Sequence, residues 1–95
     1  MKVVTEEEYK EFIGTGTKLV QFSADWCGPC RMLTSTFDNM EEIEIVKVNI
    51  DNSRDLAMSV GIKSIPVVVK YQDGKEVNRF VGMRNRNEIL DFIGG

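Results

Sequence analysis

The chain has 95 residues, a formal net charge of -3, no histidine and two cysteines, a length that fits one small domain, 1–95, able to bury a working core. That balance offers no basic face to nucleic acid or to an anionic membrane surface. The opening Met1–Glu8 stretch lacks the apolar region of a secretory leader and no apolar run approaches the length of a membrane span, so a soluble, cytoplasmic, monomeric protein is expected.

Val3-Val4 predicts a short first strand, and Thr5 with Glu8 three residues on is the capping-box pattern that opens a helix. Tyr9, Phe12 and Ile13 give that helix a buried face, and Gly14 stops it. Lys18–Phe22 is nearly continuous in apolar character, as a strand covered on both sides should be. It leads directly into Trp26-Cys27-Gly28-Pro29-Cys30.

Beyond Cys27, the positions Cys30, Leu33, Phe37 and Met40 recur with the period of an amphipathic helix, so the cysteines open a helix. Ile45–Ile50 alternates as a second strand, and a short helix around Leu56, Ala57 and Val60 ends at Gly61. Pro66 precedes the strand Val67–Tyr71, which Asp73-Gly74 turns back as a hairpin into Glu76–Val81. A last helix, capped by Asn85 with Glu88, buries Ile89, Phe92 and Ile93 and ends at Gly94-Gly95. The order is β-α-β-α-β-α-β-β-α, an α/β pattern in which helical crossovers join parallel strands and the final hairpin adds antiparallel ones.

The two cysteines carry the chemistry. At i and i+3 on the first helical turn they share a face and lie within reach of the separations a disulfide needs. Dithiol–disulfide exchange is therefore the expected reaction. With no histidine and no third cysteine, a zinc site built from protein ligands would need two carboxylates beside the cysteine pair, which makes it the lesser alternative. In a reducing cytosol a close cysteine pair is more often catalytic or metal-binding than structural, and so short a loop gains little stability from a bridge. A thiolate at a helix N-terminus is stabilised by unpaired N–H groups and the helix dipole. Cys27, first and facing solvent, is the expected nucleophile. Cys30, on the apolar stripe, is the expected resolving thiol. Pro29 suits the first turn, where its missing N–H is not needed, and Gly28 permits close approach of a substrate backbone.

Phe22, Ala24, the complete Trp26-Cys27-Gly28-Pro29-Cys30, Lys47-Val48-Asn49-Ile50-Asp51, Gly61-Ile62, Ile65-Pro66, Asp73-Gly74 and Val81-Gly82 together make the chain resemble the thioredoxin family over nearly its whole length. The resemblance implies a central mixed sheet flanked by helices. It also implies a protein-disulfide reductase that binds no cofactor or metal and is recharged by an NADPH-dependent flavoprotein, thioredoxin reductase. Its substrates would be disulfide-containing proteins, with a ribonucleotide reductase among the candidates. An X–Pro bond is ordinarily trans, but the family places a cis proline at Pro66, opposite the cysteines. Ile65 would then offer backbone hydrogen bonds to an extended substrate. Trp26, Ile50, Ile65, Pro66, Val81, Gly82 and Met83 map onto the family's docking surface, although Trp26 also reads as an ordinary half-buried aromatic.

Two positions depart from the pattern. Gln21 stands where the resemblance leads one to expect a buried aspartate that helps move the proton of the second cysteine, and Lys47 matches that aspartate's lysine partner. Without a carboxylate, deprotonation of Cys30 would rely on water or Lys47, and resolution would be slower. An unpaired buried ammonium is costly, so Lys47 is expected to reach solvent or to lose its proton more readily. Ser35 replaces the proline that kinks the cysteine helix, which predicts a straighter one. Two other functions use the same framework: a disulfide oxidant or isomerase, and a binding module that does no chemistry. Gly-Pro between the cysteines resembles the reducing members, whereas a glutathione-driven relative would typically carry Pro-Tyr.

Overall fold

In the computed structural model, which describes residues 1–95, eight elements follow one another: α1 (Glu6–Ile13), β1 (Thr17–Ser23), α2 (Gly28–Asp38), β2 (Glu44–Asn49), α3 (Arg54–Val60), β3 (Val67–Gln72), β4 (Lys75–Val81) and α4 (Arg86–Gly94). The strands form one mixed sheet in the order β2-β1-β3-β4. The α/β class and the mixed sheet flanked by helices agree with the sequence reading.

The first strand does not. Val3 makes a single parallel bridge to Lys47, with the Val4 N–H donating to the Lys47 carbonyl and the Lys47 N–H to the Lys2 carbonyl, both at 2.9 Å. Thr5 caps α1 at once, and the chain turns away before a ladder can extend. The cap is the reciprocal pair the sequence implied: the Thr5 hydroxyl accepts the Glu8 N–H at 3.2 Å and the Glu8 carboxylate accepts the Thr5 N–H at 3.0 Å. The Thr5 N–H first, and then the Lys2 ammonium at 2.9 Å, hold the Glu8 carboxyl below its ordinary range. Asn85 and Glu88 repeat the box on α4.

A second correction concerns strand direction. β1 and β2 are parallel, but β3 is antiparallel to β1 although a helix precedes it. Length explains this. The 11 residues of α2 rise about 16 Å at 1.5 Å per residue, enough with its loop to run back along a strand. The seven residues of α3 rise only about 10 Å, against the roughly 20 Å of a six-residue strand. The chain therefore re-enters the sheet at the end where it left, with Val67 pairing Phe22 beside the Ser23–Asn49 pair. The Asp73-Gly74 hairpin is as expected, with positive φ of 50° and 88° at its two residues.

Alternation along the strands divides the core between two faces. Val20, Phe22, Val46, Val48, Val67, Val69 and Tyr71 pack under α1 and α3 with Tyr9, Ile13 and Leu56. Leu19, Val68 and Phe80 pack under α2 and α4 with Leu33, Phe37, Ile89 and Phe92, and Met40 joins this second core from beyond the end of α2. Phe12 is only half-buried, its ring covered by the Lys18 ammonium at 4.7 Å. Gly14 ends α1 in a right-handed conformation, and the left-handed residue is Gly16, φ 70°. α2 runs unbroken through Ser35.

Candidate active site

β1 delivers the chain to the end of the sheet, and Ala24 begins the turn by accepting the Cys27 N–H at 3.2 Å. Cys27 is the N-cap of α2 in an extended conformation, and its Sγ accepts the Cys30 N–H at 3.2 Å. Pro29 falls in the first turn, where no donor is missed. The Cα atoms of Cys27 and Cys30 are 5.3 Å apart and the two sulfurs are joined as a disulfide. No group of three or more His, Cys, Asp or Glu side chains could hold a metal ion.

Cys27 does not face solvent as freely as its leading position suggested. It is 7% exposed, against 2% for Cys30, and both pack with Ala24 against Ile50 and Ile65. The N-cap conformation turns the sulfur back over the helix end, and Ile50 after β2 and Ile65 on the loop before β3 pack against it. The difference between the cysteines is thus one of degree and of position: Cys27 lies at the rim and Cys30 one turn deeper.

The Ile65–Pro66 peptide is cis. Pro66 is fully buried, and its carbonyl accepts the Gly82 N–H at 2.8 Å, so the segments bearing Ile65 and Gly82 are tied together. Neither the N–H nor the C=O of Ile65 takes part in a backbone hydrogen bond. Around this seam Trp26 is 68%, Val81 56% and Met83 41% exposed, with Ile50, Ile65 and Gly82 intermediate. Trp26 is therefore not half-buried: its ring stands in solvent and its Nε1–H donates to Asp51 Oδ2 at 2.9 Å. Asp51 gave no sign of that contact in the sequence, which left the tryptophan's partner open. The largest cleft, about 520 Å³ between Val3, Thr5, Asn49, Asp51 and Arg54, includes neither cysteine. The two smaller clefts include neither cysteine either.

Beneath the cysteines, Gln21 of β1 is completely buried and pairs in register with Lys47 of β2. Its Nε2 donates to the Cys30 carbonyl at 3.1 Å and to the Thr34 hydroxyl at 3.2 Å, while its Oε1 has no partner. An unsatisfied buried acceptor costs about 1–3 kcal/mol. Lys47 is half-buried and donates to the same Thr34 hydroxyl at 3.4 Å. Lys47 thus meets a hydroxyl rather than the Gln21 amide. Sequence reasoning passed over Thr34, although a threonine four residues after Cys30 on a helix lies on the same face.

A family model for thioredoxin matches residues 1–94. The thioredoxin of Chlamydia caviae is 41% identical over 97 aligned residues, covering 98% of this chain and 95% of that protein. The thioredoxin of Rickettsia felis is 35% identical over 79% of this chain and 76% of its own length. Among solved structures, a mutant thioredoxin from Halobacterium salinarum NRC-1 superposes with a TM-score of 0.86 at 29% identity, covering 97% of this chain and 86% of that one. A Plasmodium falciparum thioredoxin does so at 0.89 and 24% identity, covering 99% and 97%, and at that identity it speaks for the fold alone. With a joined CxxC pair at the head of α2 and a family model that matches residues 1–94, the chain belongs to the thioredoxin family and is a thiol–disulfide oxidoreductase of the protein-disulfide reductase type.

Proposed function

We propose that the whole chain, 1–95, works as one cytoplasmic, monomeric electron carrier in which Cys27 attacks and Cys30 resolves. The observation that carries the assignment is the position of Cys27 at the N-cap, its sulfur facing the Cys30 N–H at 3.2 Å while Cys30 lies deeper. That N–H and the helix dipole favour a thiolate at Cys27. The Cys27 thiolate attacks one sulfur of the substrate disulfide; the substrate S–S bond breaks and its other sulfur leaves as a thiolate. Cys30, deprotonated to water, then attacks Cys27 Sγ, releasing the second substrate sulfur and closing the Cys27–Cys30 bond. Two electrons pass to the substrate. The sulfurs carry them without a bound cofactor, and an NADPH-dependent flavoprotein thioredoxin reductase returns them.

Substrate is held, in this reading, by the exposed apolar rim of Trp26, Val81 and Met83 with Ile50 and Gly82, and by the free backbone groups of Ile65, which accept an extended segment as an added strand. Apolar contacts and main-chain bonds discriminate little between sequences. That suits several disulfide proteins, a ribonucleotide reductase among them.

The test is the reduction potential of the Cys27–Cys30 pair, read by thiol alkylation after equilibration in dithiothreitol and glutathione buffers. A value at or below the glutathione poise of a reducing cytosol, about -220 to -260 mV by extraction, is expected. A value well above it makes the protein an oxidant or isomerase. A related expectation concerns Gln21. Gln21→Asp places a titratable base beside the Cys30 carbonyl, and the pH dependence of protein-disulfide reduction should gain an ionisation and rise at neutral pH. An unaltered profile contradicts a resolving step limited by proton removal.

A further inference from the structure

The Thr34 hydroxyl is fully engaged. It has one proton to give and two lone pairs to offer. It donates to the Cys30 carbonyl at 2.9 Å and accepts from Gln21 Nε2 at 3.2 Å and Lys47 Nζ at 3.4 Å. Gln21 Nε2 in turn spends both of its protons, one on Thr34 and one on the Cys30 carbonyl, so its orientation is set and its Oε1 is turned to where no donor lies. A cation, a hydroxyl and a peptide carbonyl thus stand in one directed chain, Lys47 to Thr34 to Cys30, and such chains polarise along their length.

We propose that Thr34 is a positioning residue for the resolving step: it holds the Lys47 cation against the Cys30 turn, so that the buried Cys30 thiolate forms facing a positive charge. The inference rests on the assignment of Cys30 as the resolving thiol. Among the charged side chains of the surrounding elements, Lys47 alone bonds to the hydroxyl that bonds the Cys30 carbonyl. Arg31 on α2 is exposed and donates to the Asp25 carbonyl; Asp25 is exposed, Asp51 is bonded to Trp26, and Lys63 on the loop before β3 is exposed. Gln21 and Ser23 of β1 and Val67 and Val68 of β3 are uncharged, and Lys70 of β3 is held by the Ile93 carbonyl at 2.8 Å. An opposite charge close to a titrating group favours its ionised form. In the step itself, the Cys30 proton leaves to water, the Cys30–Cys27 bond forms, and the bond from Cys27 to the substrate sulfur breaks, the substrate leaving as a thiolate.

The experiment follows the decay of the mixed disulfide with a protein substrate as a function of pH in the full chain. Thr34→Val keeps the shape of the side chain and deletes the hydroxyl; Lys47→Gln keeps a donor and deletes the charge. Each should raise the pH midpoint of decay by about one unit, which slows decay about tenfold at pH 7, whereas Thr34→Ser keeps the original midpoint. Formation of the mixed disulfide, measured with Cys30→Ser present so that it cannot resolve, should be unchanged by Thr34→Val. Should Thr34→Val fail to fold, Thr34→Ala takes its place against Thr34→Ser, and Lys47→Gln against Lys47→Arg checks the charge, with the arginine retaining the original midpoint. Unmoved midpoints, or slower decay at every pH with no shift, overturn the proposal. Absence of a trapped adduct in Cys30→Ser overturns the assignment of Cys30 and the proposal with it.

Discussion

Cys27→Ser is expected to bring reduction of a protein disulfide down to the uncatalysed rate, while Cys30→Ser is expected to stop after one half-reaction with substrate bound covalently through Cys27. The two variants remove the same atom type from positions three residues apart, so their different outcomes report position rather than composition. A serine hydroxyl is almost wholly protonated at neutral pH and does not replace a thiolate as attacking group. At Cys27 the loss is therefore of the first step. At Cys30 the Cys27 sulfur still has its place at the N-cap of α2 and lacks only the deeper thiol that releases the product. Mass spectrometry after mixing each reduced variant with the disulfide substrate, with no other thiol present, distinguishes them. An adduct formed by Cys27→Ser and not by Cys30→Ser reverses the roles.

The largest loss of stability is expected from Phe22→Ala. Phe22 is completely buried in the core under α1 and α3, edge-on to Tyr9 with ring centroids 6.3 Å apart. Truncating a buried phenylalanine to alanine removes about 3–5 kcal/mol, combining lost burial with the cavity left behind. Domains of this size have only about 5–15 kcal/mol in total. Since 1 kcal/mol moves the melting temperature of a 60–100-residue domain by roughly 4–8 °C, a fall of at least about 12 °C is expected by calorimetry. The variant should also lose activity on warming before the wild type does, because Phe22 lies in the strand that carries the chain to Ala24 and the cysteines. A fall of less than about 4 °C would mean that Tyr9 and Tyr71, bonded to each other through their hydroxyls at 2.6 Å, collapse into the space.

How far each feature was legible depended on the distance over which its cause acts. The Thr5–Glu8 and Asn85–Glu88 caps and the Asp73-Gly74 turn each need partners within a few residues and were correctly read. The Val3-Val4 strand was read too generously, because its length depended on where Lys47 would lie and on how soon α1 would draw the chain away. The direction of β3 is not legible from the order of elements, because a helix between two strands makes a crossover only when it is long enough to run back along the sheet, and α3 has seven residues. Trp26 was recognised, but its exposure depended on Asp51, 25 residues on.

The reaction itself belongs to the residues Trp26-Cys27-Gly28-Pro29-Cys30 taken alone: two thiols at i and i+3, a glycine and a proline that suit a first helical turn, and strand-like residues before them leave little room for another chemistry. Burial and polarity around the sulfurs were settled only by folding. The cover over Cys27 comes from Ile50 and Ile65, and the layer below Cys30 from Gln21, Thr34 and Lys47 on three different elements. Such contacts arise from strand register and from the side-chain alternation that sends Gln21 and Lys47 to the face of α2. A local pattern specifies which groups react, whereas the surroundings that tune them depend on residues far apart in the chain, and those meet only once the sheet has chosen its partners.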